Sequence, residues 1–350
     1  LDCTYDATHA DGEPDPSPLF GYIAEQNSKE WIFAIQFDRL AASNTHTGIY
    51  TFCSRVHNGA AGAGPSQHMI DTFQCTDGLS IAESPLYNWQ DPWKNRDPRL
   101  DLYCQRTNSR SMGVQFSIDP ADKTVFDYNL GKAVPNGDVT GNKSEYGPNG
   151  TKGPGGYLWR KWNDMAYYGT ITGNSYEDEL DVPIMRFAEL LLIDAEANIE
   201  WAGGDLARAK ANIDRVRARV NMPAVKATDR EGLRSALRYE RKVELCCEGF
   251  RWFDIRRWKG ADGNPVAYKA INGPQYAPAF GKTTFNGIPQ IDENWVVTYD
   301  ESKTFNNATF NGRIHTTRKF VLNKDELWPF PNSEMVTNPL IGLENNNPGY

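Results

Sequence analysis

Between Asp181 and Gly260 apolar positions recur with a helical period, and the rest of the chain is organised around that stretch. In VPIMRFAELLLIDAEANIEWAGG, Ile184, Phe187, Ala188, Leu191, Ala195 and Ile199 fall at helical spacing. Leu190, Ala197 and Trp201 add apolar surface on other faces, so the predicted helix is buried on more than one side. Its charges Arg186, Glu189, Glu196 and Glu200 lie close to one stripe at about 100° per residue. Gly203-Gly204 ends the helix and Asp205 is placed to cap the next. That second helix buries Leu206, Ala209, Ile213, Val216 and Val220 and stops at Met222-Pro223. Two such helices joined by a Gly-Gly turn predict an antiparallel helical hairpin, the unit of tetratricopeptide-type repeats.

A third helix is predicted to open on a capping box, Thr228 with Glu231, and to run on through Trp258. It carries Glu240, Arg241, Glu244, Glu248, Arg251, Asp254, Arg256 and Arg257 among Tyr239, Val243, Leu245, Phe250, Trp252, Phe253 and Trp258. The adjacent Cys246-Cys247 would stand in mid-helix.

Elsewhere the pattern is weaker. Residues 1 to 29 are polar and loop-like, EWIFAIQF (Glu30 to Phe37) reads as a buried strand or extended segment, and Gly59 to Pro65 as a flexible loop. Met69 to Phe73 is a short apolar element, and Pro98 within NRDPRL argues for an extended turn. Residues 105 to 180 and 261 to 317 alternate polar loops with isolated aromatics, which suits long surface loops and short strands. Three regions follow: a loop-rich 1–180 that offers a ligand face, a helical scaffold at 181–260, and a loop-rich 261–350 packing back on it.

The motifs RFAELLLIDAEAN, NIDRVRARVNMP and YERKVELCCEGFRWFDIRRW resemble the helical centre of the SusD/RagB family. EWIFAIQFD, PSQHMIDTFQCTDG and NRDPRL before them, and LWPFPNSEMVTNPL with NNNPGY after, are similar to family landmarks in family order. The resemblance implies a mainly α fold, a tetratricopeptide-like scaffold carrying a loop-rich irregular lobe. It also implies a non-catalytic outer-membrane lipoprotein of a Gram-negative cell surface, which binds a nutrient, usually a glycan. Such a protein passes its ligand to a SusC-like TonB-dependent transporter. The match corresponds to the later two-thirds of a typical member; a signal peptide, lipid-bearing cysteine and first helical pairs have no counterpart before Leu1.

Composition narrows the alternatives. No apolar run approaches the roughly 18 residues a membrane-spanning helix needs. The net charge of -8 gives no electrostatic route to a nucleic-acid backbone. The six cysteines show no metal-type spacing and read as small buried hydrophobes, with a disulfide among Cys53, Cys75 and Cys104 left open. The five histidines are scattered, no nucleophile motif occurs, and nothing calls for a cofactor or metal.

Glu240, Glu244 and Glu248, at i, i+4 and i+8, could furnish the two carboxylates of a glycosidase. The nearby arginines favour a structural ion network instead: Arg186, Glu189, Glu196, Arg241, Glu244, Glu248, Arg251 and Asp254. Ligand recognition is assigned to aromatics in polar loops, since a sugar's CH face stacks on a ring while amides and charges bond its hydroxyls. YNWQDPWKNRDPR has that mixture most densely, and Tyr87, Trp89, Trp93, Asn88 and Gln90 are the candidate ligand contacts. Trp201, Trp252, Trp258 and Trp328 are expected in the core. The competing readings are a RagB-like peptide-uptake protein, a glycoside hydrolase, and a repeat scaffold for protein partners.

Overall fold

A computed structural model describes residues 13–38, 40, 45–140, 148, 153, 155–171, 178–338, 340–341 and 346–349. Cys3 and His9 lie outside the described residues. The described residues begin with α1 (Ser17–Phe20), α2 (Tyr22–Asn27), β1 (Trp31–Ile35), α3 (Gly48–Phe52), α4 (Gln67–Ile70) and α5 (Arg99–Tyr103). Short strands follow: β2 (Cys104–Gln105), β3 (Arg110–Ser111), β4 (Val114–Gln115), β5 (Thr124–Asp127), β6 (Lys132–Pro135), β7 (Leu158–Trp159) and β8 (Val182–Arg186). The helical block is α6 (Phe187–Glu200), α7 (Leu206–Ala218), α8 (Arg230–Glu244), α9 (Phe250–Arg257) and α10 (Val266–Ile271). β9 (Gly273–Pro278), β10 (Gly287–Ile291), β11 (Val297–Thr304), β12 (Gly312–Arg318) and α11 (Asn332–Thr337) complete it.

Helices α6 and α7 pack as a hairpin, and α8 closes over both. Leu191, Leu192, Ala195 and Ile199 of α6 meet Ala209, Ile213 and Val216 of α7 and Leu233 and Leu237 of α8 in one apolar cluster. The tight turn works because Asp205 caps α7, its carboxylate accepting from the Arg208 N–H at 3.0 Å. The cap of α8 is Asp229 rather than Thr228; its Oδ1 accepts from Gly232 N–H at 2.9 Å. A second cluster joins the loop-rich part to the block: Leu19 and Phe20, Ile70 and Phe73, Leu100 and Tyr103, Trp162, and Tyr239 with Val243 of α8.

Four two-stranded pairings draw mainly distant segments together: β1 with β8, β2 with β7, β9 with β12, and β10 with β11. The remaining strands form a four-stranded meander in the order β3-β4-β5-β6.

Several expectations need correcting. About 29% of the described residues are helical and 20% are strand, so among them the mainly α expectation holds only in part. The tetratricopeptide-like character among the described residues rests on the α6–α7 pair with α8. Val182–Arg186 is strand, not the first turn of α6, because it pairs antiparallel with Trp31–Ile35. That sheet is also not buried: Ile32, Phe33 and Ile35 are 50%, 60% and 46% exposed. The long third helix is two, divided by a turn in which Cys247 (φ 60°) and Gly249 (φ 88°) take left-handed backbone, so the paired cysteines and Glu248 sit in a turn. Pro98 starts the short helix α5, where its missing N–H costs nothing. The segment before Glu30, expected as loop, holds α1 and α2. Trp258 is buried and Trp252 packs against its cluster, but Trp201 and Trp328 are 69% and 61% exposed. Cys53, Cys75, Cys104, Cys246 and Cys247 are free thiols.

Candidate functional site

The charged residues of α8 turn inward. Glu240 and Glu244 are fully buried, and partners reach them from four other parts of the chain. Arg99, at the start of α5, donates to Asp97 (2.7 and 3.0 Å), to Glu240 (2.7 Å) and to Glu244 (3.2 Å). Arg186, the last residue of β8, forks onto both oxygens of Glu248 (2.7 and 2.8 Å) and reaches Glu244 (2.9 Å) and Glu30 (2.8 Å). Arg217 donates to Glu240 at 2.6 Å and Arg219 to Glu244 at 2.5 Å. Lys161 closes the set, donating to Glu248 (2.5 Å) and to the carbonyls of Glu244 and Cys246. Five cations (Arg99, Lys161, Arg186, Arg217, Arg219) thus face five anions (Glu30, Asp97, Glu240, Glu244, Glu248), for no net charge. Burial alone would raise the Glu244 pKa, yet Arg219, Arg186 and Arg99 hold it well below the usual carboxylate range. Arg186 and Lys161 lower Glu248 likewise, so Glu244 and Glu248 stay ionised and enclosed, the opposite of what a general acid requires.

A smaller set lies at the α8–α9 junction. Arg241 holds Asp254 through two bonds of 2.8 and 2.9 Å, and Arg257 and the Trp258 indole N–H bind Glu196. Glu189 is buried, one oxygen lacks a hydrogen-bond partner, and burial raises its pKa. Arg251, named with this group from sequence, makes no ion pair among the described residues and lines a cavity instead.

The candidate ligand contacts fall on the loop Ser84 to Arg96. Asn95 Nδ2 donates to the Leu86 carbonyl at 3.2 Å and closes the loop at its base. Arg96, buried, donates to the carbonyls of Pro92, Ile70 and Phe73 at 2.6, 2.7 and 2.9 Å and clamps the loop to the core. Within it, Asn88 Oδ1 accepts from Gln90 N–H at 3.0 Å, which shapes the turn at the tip.

The five candidates separate. Tyr87 turns inward against Phe305 (ring centroids 5.1 Å) and beneath the Arg96 guanidinium; burial pushes its phenol pKa up. Trp89 is half-buried and Asn88 exposed. Gln90 and Trp93 line one cleft of about 390 Å³, together with Asp91, Lys94, Asp101, Arg106, Asn108 and Thr283. Around it three buried polar atoms lack hydrogen-bond partners, Trp93 Nε1, Asp101 Oδ1 and Arg106 Nε, the last two forming a loose ion pair with each other at 3.7 Å. The Trp93 ring is flanked by Tyr157 at 6.1 Å and the Arg106 guanidinium at 5.8 Å, so it offers its polar edge more than an open face. Asp101, Arg106 and Asn108 were missed from sequence. The polar run Arg106-Thr107-Asn108-Ser109 is the signal that could have flagged two of them; Thr283 comes from too far along the chain to be read.

Among the described residues no helix is long and apolar enough to cross a membrane, and no group of three or more His, Cys, Asp or Glu side chains could hold a metal ion. A sequence model of the SusD family matches residues 29–350. The chain is 30% identical over 345 residues to SusD-like protein P2 of Formosa agariphila, covering 97% of this chain and 52% of that protein. It superposes on a SusD-like protein of Bacteroides fragilis with a TM-score of 0.63 at 22% identity, covering 99% of this chain and 59% of the other. A SusD-like carbohydrate binding protein of the same species gives 0.60 at 24% identity, covering 94% and 56%. The chain therefore spans about half the length of these relatives. A family match over nearly the whole chain, with the fold to go with it, means that the chain belongs to the SusD family.

Proposed function

We propose that this chain is part of a non-catalytic glycan-binding protein of the outer-membrane surface, which captures an oligosaccharide and delivers it to a SusC-like TonB-dependent transporter. Membership of the SusD family supports capture, location and partner, and one similar structure is described as carbohydrate binding. The observation that carries a binding role for this part of the molecule is the cleft beside Trp93. An indole N–H lies there without a hydrogen-bond partner, and Arg106 Nε and Asp101 Oδ1 face each other at 3.7 Å, an ion pair too long to be a hydrogen bond, so donors and an acceptor suited to sugar hydroxyls stand together. Unpaired buried polar atoms are costly, and a ligand that satisfies them recovers that cost on binding. Trp89 and Gln90 at the loop tip would meet the rest of the saccharide. The enclosure of Glu240, Glu244 and Glu248 among arginines supports binding over hydrolysis.

Isothermal titration against plant, host and fungal oligosaccharides tests this reading. At least one should bind, without release of reducing ends over hours. Trp93→Ala and Arg106→Ala should each weaken that glycan by about tenfold or more, consistent with roughly 1–3 kcal/mol for an orphaned polar contact. Affinity for peptides with none for any glycan would overturn it.

A further inference from the structure

A cationic cavity lies away from the Trp93 cleft. It measures about 500 Å³ and sits between the Gly64–Met69 segment, the α8–α9 turn, α10 and strands β9 and β11. Lys242, Arg251 and Arg318 are in its wall, and no aspartate or glutamate is. The nearest carboxylates are committed elsewhere. Asp254 is held by Arg241 and Arg257, and Asp292 accepts from Lys269 at 2.9 Å and from the N–H groups of Asn294 and Val296. His68 is no acid here: Tyr276 N–H donates to its Nε2 while Nδ1 donates to the Val297 carbonyl, so the ring is neutral.

The donors in this wall are under-used. Arg251 Nη1 and Trp252 Nε1 are buried with no hydrogen-bond partner, and Lys242 Nζ bonds only the Trp295 carbonyl, at 2.6 Å. Arg251 packs against Trp258 and Trp252 against Arg256, contacts that hold both side chains in place without supplying an acceptor. Burial lowers Lys242 well below the usual ammonium value and brings Arg251 down to about 10. A cation buried without a counter-charge is expensive. The central network shows the alternative, each of its arginines being matched to a carboxylate.

We propose that this cavity is a second binding site, for an anionic group: a carboxylate or sulfate carried by the ligand, met by Arg251 and Lys242 within and Arg318 at the exposed mouth. Planar guanidinium donors match both oxyanions, and removing water from the cavity strengthens each bond. That the carrier is a saccharide rests on the glycan-binding reading above; the anion chemistry does not. Together the two sites describe a protein that discriminates acidic from neutral glycans.

Titration of the full chain with inorganic sulfate, an oligogalacturonate, a sulfated oligosaccharide and a neutral oligosaccharide of equal length tests the proposal. At least one charged sugar should bind about tenfold tighter than the neutral one and weaken as salt rises. Whether it is the uronate or the sulfate ester identifies the source of the anion. Arg251→Gln should abolish the preference. Should that variant melt below the working temperature, Arg318→Gln, at an exposed position, should still reduce the preference severalfold. Trp93→Ala should leave sulfate binding intact. Equal affinity for charged and neutral sugars with no binding of sulfate overturns the second site while leaving glycan capture standing. A preference that survives Arg251→Gln and Arg318→Gln overturns it as well. Sulfate binding lost in Arg251→Gln, with no sugar bound at all, keeps the anion site and removes the glycan reading.

Discussion

Glu244 accepts hydrogen bonds from Arg99, Arg186 and Arg219 in a site closed to solvent. Its removal takes a buried partner from three cations at once, and from Arg219 its carboxylate, rather than deleting one favourable contact. Glu244→Ala should therefore lower unfolding free energy by about 3–5 kcal/mol, read from urea denaturation. A midpoint equal to the parent's would mean that the pairs contribute nothing net. From sequence, the α8 glutamates and Arg186 suggested a network by their density alone. Arg99, Lys161 and Glu30 carried no such signal: nothing local in NRDPRL or LWRKW shows that one arginine and one lysine point into the interior. Arg251 misled in the opposite direction. It stands in a run of paired charges, yet the turn at Cys246–Gly249 resets the helical phase and sends it to a different wall.

Helices α6 and α7 meet through the turn Trp201–Asp205, and two substitutions there differ in mechanism. Asp205→Ala removes the cap on Arg208 N–H and should cost about 1 kcal/mol. At Gly204 a Cβ would stand 2.1 Å from the Asn198 carbonyl oxygen, so the backbone has to move. Gly204→Ala should cost more than Asp205→Ala, about 1–3 kcal/mol, and the order of the two melting temperatures checks the argument. Both residues were readable in advance, because turn chemistry is local. The strand Val182–Arg186 was not, because Ile184 and Phe187 fit a helical period and only the distant Trp31–Ile35 decides the conformation. Pro183 was the overlooked hint, since proline is tolerated in an edge strand and breaks a helix interior. The division between α8 and α9 was hidden for a similar reason: apolar residues continue at helical spacing through Cys246 and Cys247, and only Gly249 marks the turn.

For the molecule as a whole, the buried imidazoles set the response to acid. Burial pushes His57 and His68 down to about 4, against about 6.5 in an unfolded chain. Above pH 6.5 both states hold neutral rings; below it the unfolded chain takes up protons that the folded one refuses. Stability is thus lost as pH falls from about 6.5 towards 4, by on the order of 2–3 kcal/mol for each ring. Asp71, pushed up to about 6 mainly by burial, acts the other way: its carboxylate opposes folding above that pH and ceases to as it protonates. Two histidines outweigh one aspartate, so the urea midpoint should drop between pH 7 and 4, and the drop should be shallower in His68→Gln. The ten-member charge cluster has a different consequence, for descent rather than folding. Its residues run from Glu30 to Glu248 and sum to zero, so almost any solitary replacement leaves an orphan ion. Viable drift at these positions has to proceed by compensated pairs. A saturation library should find Arg99 and Glu240 intolerant when altered one at a time, and the double apolar replacement less damaging than the sum of the two, since the Asp97 and Arg217 it leaves behind carry opposite charges.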